Sequence, residues 1–104
     1  MLQFDILTNP FPGSRGRHPF LVALQSDFLA RTLDTVVVAP LARAASGTFA
    51  DRLNPQVVVD GERFALITQE IATVRKSALR NPVGSLAAER DKIIAALDLL
   101  FTGF

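Results

Sequence analysis

The chain reads as a mostly-β or α+β domain with an antiparallel sheet followed by one terminal helix. Three observations predict this. Short apolar, β-branched runs are punctuated by Asn-Pro and Asp-Gly breaks over the first eighty residues. The pattern then switches to a helical period, and the helical segment stands last rather than alternating with strands. A length of 104 residues allows one domain, 1–104, with a radius of gyration of about 13 Å.

The elements follow in order. Gln3–Leu7 reads as an opening strand. Thr8–Pro19 (TNPFPGSRGRHP) holds three prolines, two glycines, two arginines and the sole His, so it resists helix and central strand alike and reads as a surface loop. Phe20–Gln25 is a mostly apolar strand, and Gln25-Ser26-Asp27 reads as the strand end turning over. Thr32–Ala39 carries Val36-Val37-Val38, suited to a buried strand, with Pro40 as its stop. Leu41–Leu53 is irregular, since Ser46-Gly47-Thr48 interrupts its alanines. Gln56–Val59, Asp60-Gly61 and Arg63–Thr68 form the clearest local signal, a tight hairpin whose Gly tolerates the positive φ of a primed turn. Gln69–Val74 extends the sheet. Asn81-Pro82 joins Asn9-Pro10 and Asn54-Pro55 as a break.

Ser85 then serves as N-cap for a helix from about Leu86 to Phe101, about 24 Å long. Leu86, Ile93, Leu97, Leu100 and Phe104, with Ile94 and Phe101 beside them, mark one apolar face. The aromatic end Phe101-Thr102-Gly103-Phe104 has two readings. Either Gly103 stops the helix and both Phe pack inward, or the apolar end is presented to a partner.

Composition narrows function. Apolar residues make up 49% and charged residues 20%, generous for so small a domain, which points to apolar surface meeting a second subunit. A net charge of +1 lacks the basic excess of a dedicated nucleic-acid binder. Without Cys and with one His, disulfides and ordinary zinc sites are not expected, and no cofactor or metal is assigned. No apolar run reaches the about 18 residues of a membrane span, and Met1-Leu2-Gln3-Phe4-Asp5 does not resemble a secretion signal. The expectation is a soluble cytoplasmic domain.

Among chemical candidates, Arg15, Arg17 and His18 could hold a phosphodiester and move a proton. The same residues also suit a solvated loop. Ser26-Asp27 lacks a base to complete a triad, and Glu89-Arg90-Asp91-Lys92 alternates charge on a helix surface. No phosphate-binding glycine loop, nucleophile elbow or metal-ligand spacing appears.

Taken in order, several segments resemble the CcdB family of toxins over essentially the whole chain. These are Gln3-Phe4, Phe20-Leu21-Val22-Ala23-Leu24-Gln25-Ser26-Asp27, Val38-Ala39-Pro40-Leu41-Ala42, Leu53-Asn54-Pro55 with Val57-Val58-Val59-Asp60-Gly61-Glu62, and Ile93 to Phe104. The resemblance implies an SH3-like antiparallel barrel with a C-terminal helix, assembled as a homodimer. It implies a non-enzymatic toxin of a type II toxin–antitoxin module. Such a toxin binds the DNA gyrase A subunit, traps the cleaved-DNA complex, and is neutralised by a CcdA-like antitoxin. Carried over by position, the gyrase-binding residues would be Thr102, Gly103 and Phe104 at the tip, with Asp98, Ser26, Phe28 and Leu29. Thr102 departs from the family's Trp, and Asp98 replaces an amide. The loop with Arg15, Arg17 and His18 matches the antitoxin-contacting region but is longer. The alternatives are a MazF-like endoribonuclease on the same fold, using Arg15, Arg17 and His18, or a gyrase-inactive homologue with another target or with antitoxin binding only.

Overall fold

A computed structural model describes all residues, Met1–Phe104. One central strand organises it. Seven strands, β1 (Asp5–Thr8), β2 (Phe20–Ala23), β3 (Thr35–Arg43), β4 (Gln56–Val59), β5 (Glu62–Leu66), β6 (Ala72–Arg75) and β7 (Gly84–Ser85), form an antiparallel sheet ordered β4-β5-β3-β2-β1-β7. β6 pairs with β3 beside β5, and the sheet curls into a nearly closed barrel. The helix α3 (Arg90–Thr102) follows, and the Cα radius of gyration is 12.8 Å.

Alternation along the strands builds two cores. Ile6, Val22, Leu24, Ala39, Leu41, Val57, Val59, Phe64 and Leu66 point to one face, joined by Phe4, Leu86 and Ile93. Leu7, Leu21, Ala23, Val36, Val38 and Val74 point to the other. β1, β2 and β3 are thus buried on both faces, which is why their runs read as nearly continuous apolar sequence. Phe20 and Phe64 meet edge to face, with centroids 5.4 Å apart.

Several boundaries differ from the sequence expectation for identifiable reasons. The first strand begins at Asp5 because Phe4 adopts a positive φ of 67°. That conformation is over-determined: Phe4 N–H donates to Ala23 O at 2.6 Å, and Leu86 N–H donates to Phe4 O at 2.8 Å. Pro40 does not end the third strand, which runs on to Arg43. The Pro40 carbonyl accepts from Ile67 N, so its ring nitrogen faces the same side of the strand. There the partner changes from β6, at Val38↔Ala72, to β5, at Leu41↔Leu66, and no ladder bond requires a donor.

Two stretches outside the expected strands contain helical turns. α1 (Pro12–Arg15) forms inside the 8–19 loop, since proline at the first helical position gives up an N–H that would be unpaired anyway. α2 (Asp27–Ala30) occupies the turn after β2, and Thr32 and Leu33 N–H still donate to Leu29 O, so β3 starts only at Thr35. β7 was not anticipated. It approaches β1 closely enough that a Cβ on Gly84 would stand 3.2 Å from Ile6 Cδ1.

The terminal helix starts later than expected and is not capped by Ser85, which ends β7; Glu89 stands at its N-cap without a side-chain bond. Ser85 Oγ accepts from Ala87 N at 3.1 Å, and the turn there, Ala87–Glu89, is 3₁₀. Leu86, buried and tied to Phe4 O, anchors that turn. Within α3 only Ile93 and Ala96 are fully buried, so Ala96 belongs to the packed face and Phe104 does not.

The hairpin matches its sequence signal. Val59 pairs with Glu62, and Asp60 and Gly61 hold φ of 51° and 79°. Replacing Gly61 with Ala should therefore lower stability by about 1 kcal/mol, read as a fall in the denaturation midpoint, because an L side chain is disfavoured at that φ.

Candidate functional site

Two surfaces carry the candidate residues. The first is the end of α3. Gly103 adopts φ 82°, and its N–H donates to Leu99 O at 3.0 Å, a left-handed stop that ends the helix cleanly. Thr102 Oγ1 donates to Asp98 O at 2.7 Å, so the hydroxyl is engaged with its own helix. Phe101 is 72% and Phe104 83% exposed, while Leu99 and Leu100 are half-buried. Asp98 is exposed and has no ion-pair partner; the chain's two salt bridges are Arg43–Glu62 and Lys92–Glu89. A carboxylate near a helix C-terminus opposes the helix dipole, and no basic residue occupies the last turn to offset it. The tip is thus aromatic and acidic, on a rigid support.

Phe28 and Leu29 lie on α2, which has no buried residue, and Phe28 is 86% exposed. Met1, Leu2 and Phe28 line a shallow groove with Asp27, Ala30, Arg31 and Thr32, and no α3 residue lines it. The start of α3 is nearer, since Arg90 Nη1 donates to Gln3 Oε1 (3.2 Å) and Gln3 N–H donates to Asp27 Oδ1 (2.7 Å). At 1.5 Å per residue the end of α3 lies about 18 Å further along its axis. Within the chain, Ser26, Phe28 and Leu29 therefore sit toward the opposite end of α3 from Thr102, Gly103 and Phe104.

The second surface splits the basic loop. Arg15, though exposed, folds back on its own loop, donating from Nε to Asn9 O (2.8 Å) and from Nη2 to Pro10 O (3.2 Å). The buried Asn9 amide holds the same loop, through Nδ2 to Ser14 Oγ and His18 O and through Oδ1 from Phe11 N. Arg17 and His18 instead line an open cleft of about 540 Å³. Arg43, Thr48, Asn54 and Glu70 are among its other walls. The cleft combines cations, one carboxylate, an imidazole and neutral donors, which suits it to a polar or anionic group.

Sequence reading missed Arg43, Thr48, Asn54 and Glu70, because three separate stretches deliver them and no local spacing announces it. Asn54 carried a faint signal as part of an Asn-Pro break. It is buried and bonds Leu66 O (3.1 Å) and Gln69 Oε1 (2.7 Å) through Nδ2, while Oδ1 accepts from Ala50 N (3.2 Å). No group of three His, Cys, Asp or Glu is placed to hold a metal ion, and no helix is long and apolar enough to cross a membrane.

A family model described as CcdB protein matches residues 3–103. Among solved structures, the chain is similar to an endoribonuclease in complex with its cognate antitoxin from a mycobacterial species. The TM-score is 0.76 at 17% identity, covering 94% of this chain and 91% of that one. It is also similar to the Mycobacterium tuberculosis toxin MazF-mt6, with a TM-score of 0.59 at 18% identity, covering 79% and 84%. At these identities the likeness is one of architecture. No curated protein matches in sequence.

The split of the loop is measurable. Arg15→Ala should speed proteolysis within residues 10–17, because the guanidinium bonds that hold the turn are lost. Arg17→Ala, which removes only a cleft cation, should leave stability within about 0.5 kcal/mol of the parent in chemical denaturation.

Proposed function

The chain belongs to the CcdB family, and from that premise we propose that it is a type II toxin that binds the DNA gyrase A subunit and traps its cleaved-DNA complex. The observation that carries the reading is the exposed end of α3, where Phe101 and Phe104 stand in solvent on a helix anchored by Ile93 and Ala96. Large aromatics left exposed on a rigid element are the usual anchors of a protein interface. In this reading the protein acts in the cytoplasm as a non-enzymatic homodimer, and pairing brings two tips together. A CcdA-like antitoxin neutralises it, with the loop containing Arg15, Arg17 and His18 in the contact.

The departures at the tip have physical consequences. A Trp at position 102 would stack on a target arginine, a contact worth up to about 2 kcal/mol when desolvated. Thr102 cannot stack, but Asp98 one turn earlier offers a carboxylate to the same kind of cation. Target binding thus shifts from ring stacking toward charge pairing, with Gly103 letting backbone approach closely and Phe104 as the apolar anchor. Ser26, Phe28 and Leu29 supply a second patch.

A second reading has one specific support, the grouping of Arg17, His18, Arg43 and Glu70 around one cleft. It makes the protein an endoribonuclease with His18 moving a proton. Arg15 takes no part in that version, since its guanidinium is bonded to the loop backbone.

Expression without antitoxin should arrest growth and accumulate DNA covalently attached to gyrase; arrest without such complexes defeats the gyrase reading. If purified protein cleaves RNA and His18→Ala abolishes the cleavage, the second reading replaces it. Thr102→Trp should tighten binding to the gyrase A subunit by about tenfold or more in a direct titration. Asp98→Asn should weaken binding and flatten its dependence on salt.

A further inference from the structure

α2 presents a structural problem. It is a single turn, Asp27–Ala30, without one buried residue, yet it carries Phe28 almost wholly in solvent. Hydrophobic burial does not hold it, and four residues are far too few to be helical unaided. What holds it is a set of polar bonds from distant parts of the chain.

At its front, Asp27 Oδ1 accepts from Gln3 N–H at 2.7 Å. Gln3 is fixed in turn, donating from Nε2 to Leu24 O (3.0 Å) and accepting at Oε1 from Arg90 of α3 (3.2 Å). At its rear, Lys76 Nζ, from the turn after β6, donates to Ala30 O, the carbonyl of the last helical residue. The Lys76 backbone N–H donates to Asp34 O at 2.9 Å, so one residue grips the segment at two points. An ammonium at this end also meets the negative pole of the turn. Lys76 is half-buried, and the pocket that it lines is walled by Met1, Leu2, Ala23 and Ala30.

We propose that Lys76 is a positioning residue for target binding: it clamps α2 so that Phe28 and Leu29 are held in one arrangement before the partner arrives. The inference rests on the gyrase reading for the identity of the partner and on the bond network for the clamp. Preorganisation of this kind acts on affinity by removing the ordering that binding would otherwise require.

The test compares Lys76→Met and Lys76→Arg with the parent as intact full-length proteins, with Asp27→Ala as a second lesion at the opposite end. Amide exchange at Leu29, Thr32 and Leu33, whose N–H groups close the turn, should rise by about tenfold or more in Lys76→Met and Asp27→Ala. Exchange in β3 should stay unchanged. Affinity for the gyrase A subunit should fall in parallel, and Lys76→Arg, which keeps the charge and a donor, should restore both. Unchanged exchange at the three amides overturns the clamp. Exchange that rises equally in β3 also overturns it, because Lys76 would then be a general stability residue. Faster local exchange with unchanged affinity overturns the role in binding. If the parent protein does not bind the gyrase A subunit, the functional reading fails separately, and the clamp stands or falls on exchange and its rescue by arginine.

Discussion

Everything in this fold depends on β3 meeting three partners at once. Its inner edge pairs with β2 over Val38–Leu41, while its other edge serves β6 over Thr35–Val38 and then β5 over Leu41–Arg43. The residue at the handover must need no donor on that side, and Pro40 meets the requirement by having none. Register is equally constrained. A slip of one residue would exchange Val36 and Val38 with Val37 and Ala39 between opposite faces, disturbing both cores together. Burial on both faces therefore fixes the strand where a half-solvated sheet would tolerate sliding.

The segments that carry the candidate chemistry share the opposite character. α1 and α2 bury nothing, and the last residues of α3 extend beyond its buried face. Each is held by hydrogen bonds rather than by packing: Asn9 and Arg15 for the loop, Gln3, Asp27 and Lys76 for α2, the Gly103 stop for the tip. Such segments can change sequence with little effect on the core, which is where binding surfaces diverge most readily. The family membership and the altered tip are compatible for that reason.

What was legible in the sequence was local. Asp60-Gly61 announced its hairpin because the turn depends on two adjacent residues, and the apolar spacing from Leu86 onward announced the terminal helix, though not its cap. What was not legible depended on distant partners. Pro40 reads as a stop until the identity of its neighbours is known, and Gly84-Ser85 is too short to signal a strand without β1 beside it. Pro12 reads as a breaker because its role as a first helical residue depends on the Asn9–Arg15 bonds. The site followed the same rule. The tip was visible as a contiguous aromatic stretch, whereas the cleft needed Arg17, Arg43 and Glu70 to be gathered by the sheet.

The two buried asparagines have a further consequence for the lifetime of the chain. Asparagine side chains age by attack of the next residue's backbone nitrogen on the amide, which closes a succinimide and releases ammonia. That nitrogen must carry a hydrogen to be lost. Asn9 and Asn54 are each followed by proline, Pro10 and Pro55, whose ring nitrogen has none. The amides that tie the loop to His18 and the 50–54 turn to Leu66 are thus closed to this route of spontaneous deamidation. The dipeptide that breaks the secondary structure also makes its own fastening chemically durable.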